Sequence, residues 1–131
     1  MTKVTRDFTT EVFIVFNKKL LLFKHKKIGL WFPPGWHIEK NELIDESALK
    51  EIKEETGLDV ELYNPDRLID NLPRVKGLIS PIYVLLENIN ENHQHIDFIY
   101  FAKAHSDSVN PSDGESREYI IKNDDFFCTN N

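Results

Sequence analysis

The segment Lys50-Glu51-Ile52-Lys53-Glu54-Glu55-Thr56-Gly57-Leu58 carries the most structural information in this chain. It lies at the end of a helix predicted over residues 43–56. At about 100° per residue, Glu51, Glu54 and Glu55 fall on one stripe of that helix. Carboxylates so arranged repel one another by roughly a few tenths of a kcal/mol per pair. A divalent cation relieves this repulsion, and oxygen ligands at this spacing suit Mg²⁺ or Mn²⁺. The alternative interpretation is a solvated acidic helix face.

The same predicted helix has an apolar stripe beside the acidic one. Ala48, Leu49, Ile52 and Thr56 fall together, so this stripe is suited to packing against a core. Gly57 stands where a glycine often ends a helix. We therefore expect an amphipathic helix that stops at Thr56.

Strands are predicted on both sides of the helix, from runs rich in Val, Ile, Thr and aromatic residues. The predicted strands span residues 8–16, 20–25, 58–63, 78–86, 95–104 and 117–121. Residues 17–19 predict a turn, and the polar segment 87–94 predicts a long connection inside a second hairpin. Loops are predicted at 26–30, 64–76 and 106–114. Strands before and after one central helix indicate the α+β class.

Length, composition and charge restrict the class of protein. The chain has 131 residues, 40% hydrophobic and 29% charged, and we expect one domain over residues 1–131. A single cysteine, Cys128, excludes an internal disulfide and fits a reducing compartment. The net charge of −6 disfavours binding to long nucleic acid. Apolar runs of strand length and the polar N-terminus predict a cytoplasmic protein with no membrane partner.

The segment that precedes the helix extends the acidic motif. It reads Gly35-Trp36-His37-Ile38-Glu39-Lys40-Asn41-Glu42. Residues 36–58 together resemble the Nudix box: a glycine, five residues, a glutamate, seven residues, then Arg-Glu-aliphatic-any-Glu-Glu-any-Gly-aliphatic. The positions that match are Glu42, Glu51, Ile52, Glu54, Glu55, Gly57 and Leu58. The resemblance implies a Nudix-type α/β/α sandwich with a mixed sheet and a central catalytic helix at about 43–56.

Three positions depart from the usual Nudix pattern. Trp36 replaces a glycine that lets the backbone approach the metal–phosphate site. Its side chain is expected to swing outward and form part of a base-binding wall; the alternative is that it covers the site. Lys50 replaces the arginine, which keeps the charge but loses a planar bidentate donor. Asn41 stands where a glycine is common, and asparagine tolerates left-handed backbone geometry.

The resemblance implies a Mg²⁺-dependent pyrophosphohydrolase, with Mn²⁺ as the other candidate ion. Such an enzyme cleaves the phosphoanhydride of a nucleoside diphosphate linked to another moiety. The implied metal ligands are the Gly35 carbonyl and the carboxylates of Glu51, Glu54 and Glu55. The general base is implied to be Glu51 or Glu54 on the helix, or Glu115 in a later loop, which is otherwise a surface acid. Glu42 and Lys50 are implied to support the loop and the catalytic glutamates.

Candidate substrate contacts lie before the box. Lys24, with His25, Lys26 and Lys27, forms a basic island that attracts phosphate or is an ordinary solvated strand end. Trp31, Phe32 and Trp36 are candidates for stacking on a base, although aromatic residues also build cores. We expect a small nucleotide as substrate. A homodimer is one of the oligomeric states that the sequence allows.

Two further hypotheses come from the same sequence. His93 and His95 would face one side of a strand and suit zinc if a third ligand were present, or they are polar residues at a strand entrance. The departures at Trp36 and Lys50 also allow a catalytically weakened Nudix-like nucleotide-binding module. A structural or partner-binding domain with a solvated acidic helix is the third class of function.

Overall fold

In a computed structural model of the protein, one mixed sheet of eight strands packs against one helix, across the described residues 3–25, 28–66, 69–110 and 119–123. The strands are β1 Thr5–Phe16, β2 Lys19–Lys24, β3 Trp31–Phe32, β4 Gly35–His37, β5 Val60–Leu62, β6 Tyr83–Asn90, β7 His93–Ala104 and β8 Tyr119–Asn123. The helix, α1, spans Ile44–Thr56. This arrangement confirms the predicted α+β class with a mixed sheet and a central helix.

The sheet is organised around a parallel pair formed by β1 and β7. Strands follow the order β3-β2-β1-β7-β5, with β4 on β1, β6 on β7 and β8 on β2. Thr5 pairs with His93, and the register continues to Val15 and Lys103. The remaining strand pairs among the described residues are antiparallel. Because β1 and β7 lie far apart in sequence, their pairing closes the domain.

The two faces of this central pair differ in chemistry. On one face Val12 pairs with Tyr100 and Ile14 with Ala102, and these residues form the core with the helix residues Ala48, Ile52 and others. The predicted packing stripe is therefore confirmed at Ala48, Ile52 and Thr56, which are buried. It is wrong at Leu49, which is 39% exposed. The buried side of the helix is displaced from the predicted stripe toward Ser47 and Glu55, which leaves Leu49 at its edge.

The helix begins and ends close to the predicted boundaries. Gly57 terminates it in a left-handed conformation, with φ of 74°, and its N–H donates to the carbonyl of Lys53 at 2.9 Å. Near the start, the Asp45 carboxylate accepts a hydrogen bond from the backbone N–H of Ile79 at 3.0 Å. The Ile79 carbonyl in turn accepts one from the hydroxyl of Tyr100 at 2.8 Å. This chain of contacts ties the helix to β7.

The second hairpin differs from its prediction. Residues 87–90, expected in a long connection, continue β6, and residues 93–94 begin β7. Only Glu91 and Asn92 separate the two strands. Gln94 donates to the side chain of Asn88 at 2.9 Å, so polar residues here satisfy each other across strands. The loop expectation failed because cross-strand pairing outweighs the low β-propensity of polar residues.

Within the described residues, the helix α1 is too short and too polar to cross a membrane.

The end of the helix generates a stability prediction. At Gly57 a β-carbon would be strained by the positive φ and would also collide with the backbone carbonyl of Asn110. At Gly29 the φ is also positive, +69°, but a β-carbon would meet nothing within 4 Å. We expect Gly29→Ala to cost about 1 kcal/mol of unfolding free energy from strain alone, and Gly57→Ala on the order of 3 kcal/mol. Chemical denaturation of both variants measures the difference, and equal losses would contradict the collision.

Candidate active site

The three helix glutamates differ in their exposure to solvent. Glu54 is exposed and Glu51 is half-buried, but Glu55 is only 5% exposed. The expectation of a uniformly polar stripe is therefore wrong at Glu55, because this position turns toward the packed side of the helix. The backbone of the helix places the three side chains at neighbouring positions, one turn apart or adjacent. A buried carboxylate beside two more accessible ones is an arrangement that oxygen-seeking cations can use.

The loop between β4 and α1 is held by its own residues. The carboxylate of Glu42 accepts a hydrogen bond from the backbone N–H of Glu39 at 2.9 Å. Its other oxygen lies 3.9 Å from the Nζ atom of Lys50. Asn41 has a φ of 75°, the left-handed geometry expected for it. The structure thus brings Glu42 and Lys50 together, as the resemblance implies, while their supporting role stays a prediction.

Gly35 lies at the start of β4, in close contact with the backbone of β1. It pairs with Glu11, and a β-carbon on it would come within 2.9 Å of the Thr10 carbonyl oxygen and of Cγ of Glu11. Only a residue without a side chain fits this approach. The glycine thereby holds the start of the Nudix-like segment against the central strand pair.

A cavity of about 690 Å³ opens beside β4 on the polar side of the sheet. Four residues predicted to bind substrate or metal line it, namely Lys24, Phe32, Gly35 and Trp36. Trp31 instead lies under Lys24, whose Nζ atom is 5.9 Å from the centroid of the indole ring. The volume is typical of small-molecule sites. The structure therefore groups most of the predicted substrate residues around one cavity.

Trp36 takes neither of the two simple positions expected for it. Its side chain packs against the hydrophobic core and also contributes to the cavity wall. The Nε1 atom is shielded from solvent and has no hydrogen-bond partner among the described residues. Trp36 is thus a structural part of the wall, and removing the ring would disturb the core as well as the cavity.

The sequence analysis missed an acidic group in the cavity wall, formed by Glu11, Glu87 and Asp97. Asp97 accepts a hydrogen bond from the hydroxyl of Thr9 at 3.1 Å. Burial, the hydrogen bond and charge of Asp97, and the charge of Glu87 raise the pKa of Glu11 to about 8. The sequence does contain a signal for a polar sheet face here. Every second residue from Thr5 to Glu11 is polar, and so is every second residue from His93 to Asp97.

The structure leaves two parts of the predicted site separate. The helix glutamates are not among the described residues that line the cavity, so Gly35 is the predicted metal ligand that borders it. Glu115, Lys26 and Lys27 lie outside the described residues.

Comparison with known proteins settles the family. The sequence matches the NUDIX domain over residues 6–129. The chain belongs to the Nudix hydrolase family. A crystal structure of a NUDIX-family hydrolase from Clostridium perfringens shares its fold, with a TM-score of 0.83 and 41% sequence identity, over 96% of this chain and 87% of that one. The predicted family and its fold are therefore confirmed.

Two relatives whose names state a substrate align with this chain over a smaller part of their own length. The m7GpppN-mRNA hydrolase NUDT17 of Xenopus laevis is 32% identical over 96 residues, which cover 61% of this chain and 31% of that protein. The putative 8-oxo-dGTP diphosphatase of Bacillus subtilis is 39% identical over 46 residues, which cover 35% of this chain and 31% of that protein. The Nudix chain thus aligns with about a third of each of these relatives.

The acidic group in the cavity wall predicts how stability depends on pH. Between about pH 4.5 and pH 8, folded Nudix protein holds a proton on Glu11 that the unfolded chain releases. The free energy of unfolding should therefore fall as the pH rises through this window. Glu11→Gln removes that loss, so its stabilising effect should grow from about pH 5 to pH 8 and then level off.

Thermal melting of both proteins in metal-free buffer measures this effect, with Glu91→Gln in the exposed hairpin turn as the matched control. A difference between wild type and Glu11→Gln that stays constant with pH would contradict the raised pKa.

Proposed function

We propose that this Nudix protein is a divalent-metal-dependent pyrophosphohydrolase that cleaves the phosphoanhydride of a nucleoside diphosphate linked to another moiety. The observation that carries the proposal is the short connection along the chain between the cavity and the acidic helix. Gly35 lines a cavity of nucleoside-compatible size, about 690 Å³, and leads through a short loop into a helix with three neighbouring glutamates. The relatives named as an mRNA-cap hydrolase and a putative 8-oxo-dGTP diphosphatase support a nucleotide substrate.

The donor set at the helix fits Mg²⁺ or Mn²⁺. All its donors are oxygens, from the carboxylates of Glu51, Glu54 and Glu55 and the backbone carbonyl of Gly35, and hard divalent ions prefer such ligands. The ion would supply Lewis-acid stabilisation of the charge that develops on the phosphoryl oxygens. In a protein with a net charge of −6, a bound cation also offsets the repulsion between the site and an anionic substrate.

The protein's own side chains then orient the reaction. Whichever of Glu51 and Glu54 does not hold the ion would take the proton of the attacking water, since both are more accessible than Glu55. Glu115, which lies outside the described residues, is the alternative base. Lys50, at 3.9 Å from Glu42, positions the loop before the helix and places a cation next to the glutamates on the helix surface. We assign Glu42 and Lys50 a positioning role.

Substrate binding falls to the cavity. Phe32 and Trp36 offer apolar surface for a base, and Lys24 provides a cation at the rim for a phosphate. The stacking of Lys24 over Trp31 holds that cation in place. On the sequence grounds given above, we place the protein in the cytoplasm, with a small nucleotide rather than long nucleic acid or a membrane as its partner.

The test is a hydrolysis screen of the full chain with Mg²⁺, with Mn²⁺ and with EDTA. The substrates are nucleoside triphosphates, ADP-ribose, dinucleoside polyphosphates, nucleotide sugars and m7GpppN. We expect release of phosphate, pyrophosphate or a nucleoside monophosphate that depends on the metal. Thermal stabilisation by a nucleotide without turnover would instead establish the alternative, a nucleotide-binding module. Neither turnover nor stabilisation would indicate a structural domain.

The metal assignment predicts the effect of neutralising one ligand. Glu55→Gln should lower kcat by at least about a hundredfold, on the order of 3 kcal/mol of transition-state stabilisation, because it removes a negatively charged ligand. Glu46→Gln is the matched control: Glu46 lies on the same helix, is exposed and pairs with Lys76 at 3.4 Å. Its activity should match the wild type.

Because Glu55 is buried, a thermal melt must accompany the kinetics. Near-wild-type turnover in a folded Glu55→Gln protein would contradict the metal assignment.

The contact between Lys50 and Glu42 predicts a graded series. Lys50→Arg should preserve or raise turnover, because a guanidinium can hold a carboxylate through two hydrogen bonds. Lys50→Met should lower kcat, because Glu42 loses its cationic partner and the loop before the helix loses an anchor. Steady-state kinetics on the substrate chosen by the screen measure the series. Equal rates for wild type, Arg and Met would show that Lys50 is only a surface residue.

A further inference from the structure

Three histidines and an aspartate meet beyond the helix site, where β1, β4 and β7 lie side by side. Asp7 pairs directly with His95 in the parallel register of β1 and β7, and His93 lies two residues before His95 on the same face. His37 belongs to β4 and pairs with Thr9 of β1. Three hydrogen-bonded strands therefore hold these side chains at neighbouring positions.

The distances among these side chains are short enough for them to share one metal ion. The Asp7, His93 and His95 ligand atoms lie within 4.8 Å of one another. Oδ2 of Asp7 is 3.2 Å from Nε2 of His93 and 3.3 Å from Nε2 of His37. Two ligands at tetrahedral positions around a zinc ion are about 3.3 Å apart when each bond is close to 2 Å. The ring of His37 lies 5.0 Å from the ring of His95.

Second contacts orient two of the imidazoles. Nδ1 of His93 lies 2.8 Å from the hydroxyl of Thr5, which leaves Nε2 directed at Asp7. Nδ1 of His95 lies 3.7 Å from the carboxylate of Glu87, which leaves its Nε2 for another partner. Histidine ligands of metals commonly have their second ring nitrogen held in this way, because the contact fixes the tautomer and the direction of the ring.

We propose that Asp7, His93 and His95 form a transition-metal site that selects Zn²⁺, with His37 as a fourth ligand. Imidazole nitrogens favour zinc, whereas Mg²⁺ prefers an all-oxygen set such as the one on the helix. The side chains of His93 and His95 are 25% and 18% exposed and those of Asp7 and His37 about half exposed, so an ion can enter from solvent. The sequence predicted His93 and His95 as candidate zinc ligands, whereas Asp7 and His37 were identified only from the fold.

The proposed site has a structural consequence and a functional one. An ion here would join the first residues of β1 and β7 to the end of β4. His37, His95 and Glu87 also line the cavity, so the ion would lie at its rim. Zinc would then stabilise this wall of the cavity without taking part in the chemistry proposed for the glutamates.

The experiment is zinc titration of the full chain after treatment with EDTA, in competition with a chromogenic chelator. We expect one Zn²⁺ per chain, with a dissociation constant on the order of micromolar or tighter, a rise in melting temperature, and little competition from millimolar Mg²⁺. Co²⁺ should give the visible absorption of a four-coordinate ion. No binding tighter than about 100 µM would overturn the proposal, because the cluster would then be a set of ion pairs alone.

Variants locate the ion. His93→Gln and His95→Gln should each weaken zinc binding by at least about a hundredfold, whereas His105→Gln, an exposed histidine just beyond β7, should bind as the wild type does. Thr5→Val should weaken it by about tenfold or more, since it removes only the contact to Nδ1 of His93. Circular dichroism verifies that each variant is folded. Zinc binding that is lost in Glu55→Gln but kept in His93→Gln would place the ion on the helix and overturn the proposal.

Discussion

The parallel pairing of β1 with β7 is the constraint on which the rest of the structure depends. Eleven residue pairs, from Thr5–His93 to Val15–Lys103, join two segments nearly ninety residues apart. Side chains alternate across a strand, so one register sends the apolar positions to the helix and the polar positions to the cavity. A shift by one residue would place Glu11 in the core and Val12 in the cavity wall. The hydrophobic pattern therefore fixes the site together with the core.

The helix site depends on the same pair through β4. Gly35 can reach β1 only because it has no side chain, and this approach sets where the loop to α1 begins. The helix is then fixed at its other end by Gly57, whose left-handed backbone turns the chain toward β5. These two glycines thus set where the segment that carries the three glutamates begins and ends. The bulk of Trp36 is accommodated because its ring turns into the core instead of into the approach between β4 and β1.

Local signals predicted the elements better than they predicted the contacts between them. The helix boundaries came from a stripe and a terminal glycine, and the predicted 43–56 became Ile44–Thr56. Periodicity cannot identify the partner of a strand, so the parallel pair and the tight β6–β7 turn were not predictable from it. The burial of Glu55 was missed for a related reason: a helical wheel gives directions, while the width of the covering sheet decides what is buried. The meeting of Asp7 with His93 likewise follows only from the register.

The distribution of charge explains how an acidic protein can present a cavity to an anionic ligand. The cavity wall carries three carboxyl groups, Glu11, Glu87 and Asp97, which together would repel a nucleotide. With its pKa raised to about 8, Glu11 is mostly protonated at pH 7, so the wall carries one charge fewer and gains an O–H donor. Lys24, an exposed residue that also lines the cavity, supplies a positive charge. Burial of Glu11, together with the hydrogen bond and charge of Asp97 and the charge of Glu87, thus lowers the charge of the wall itself. The helix glutamates then remain the acidic group that is proposed above to hold a metal.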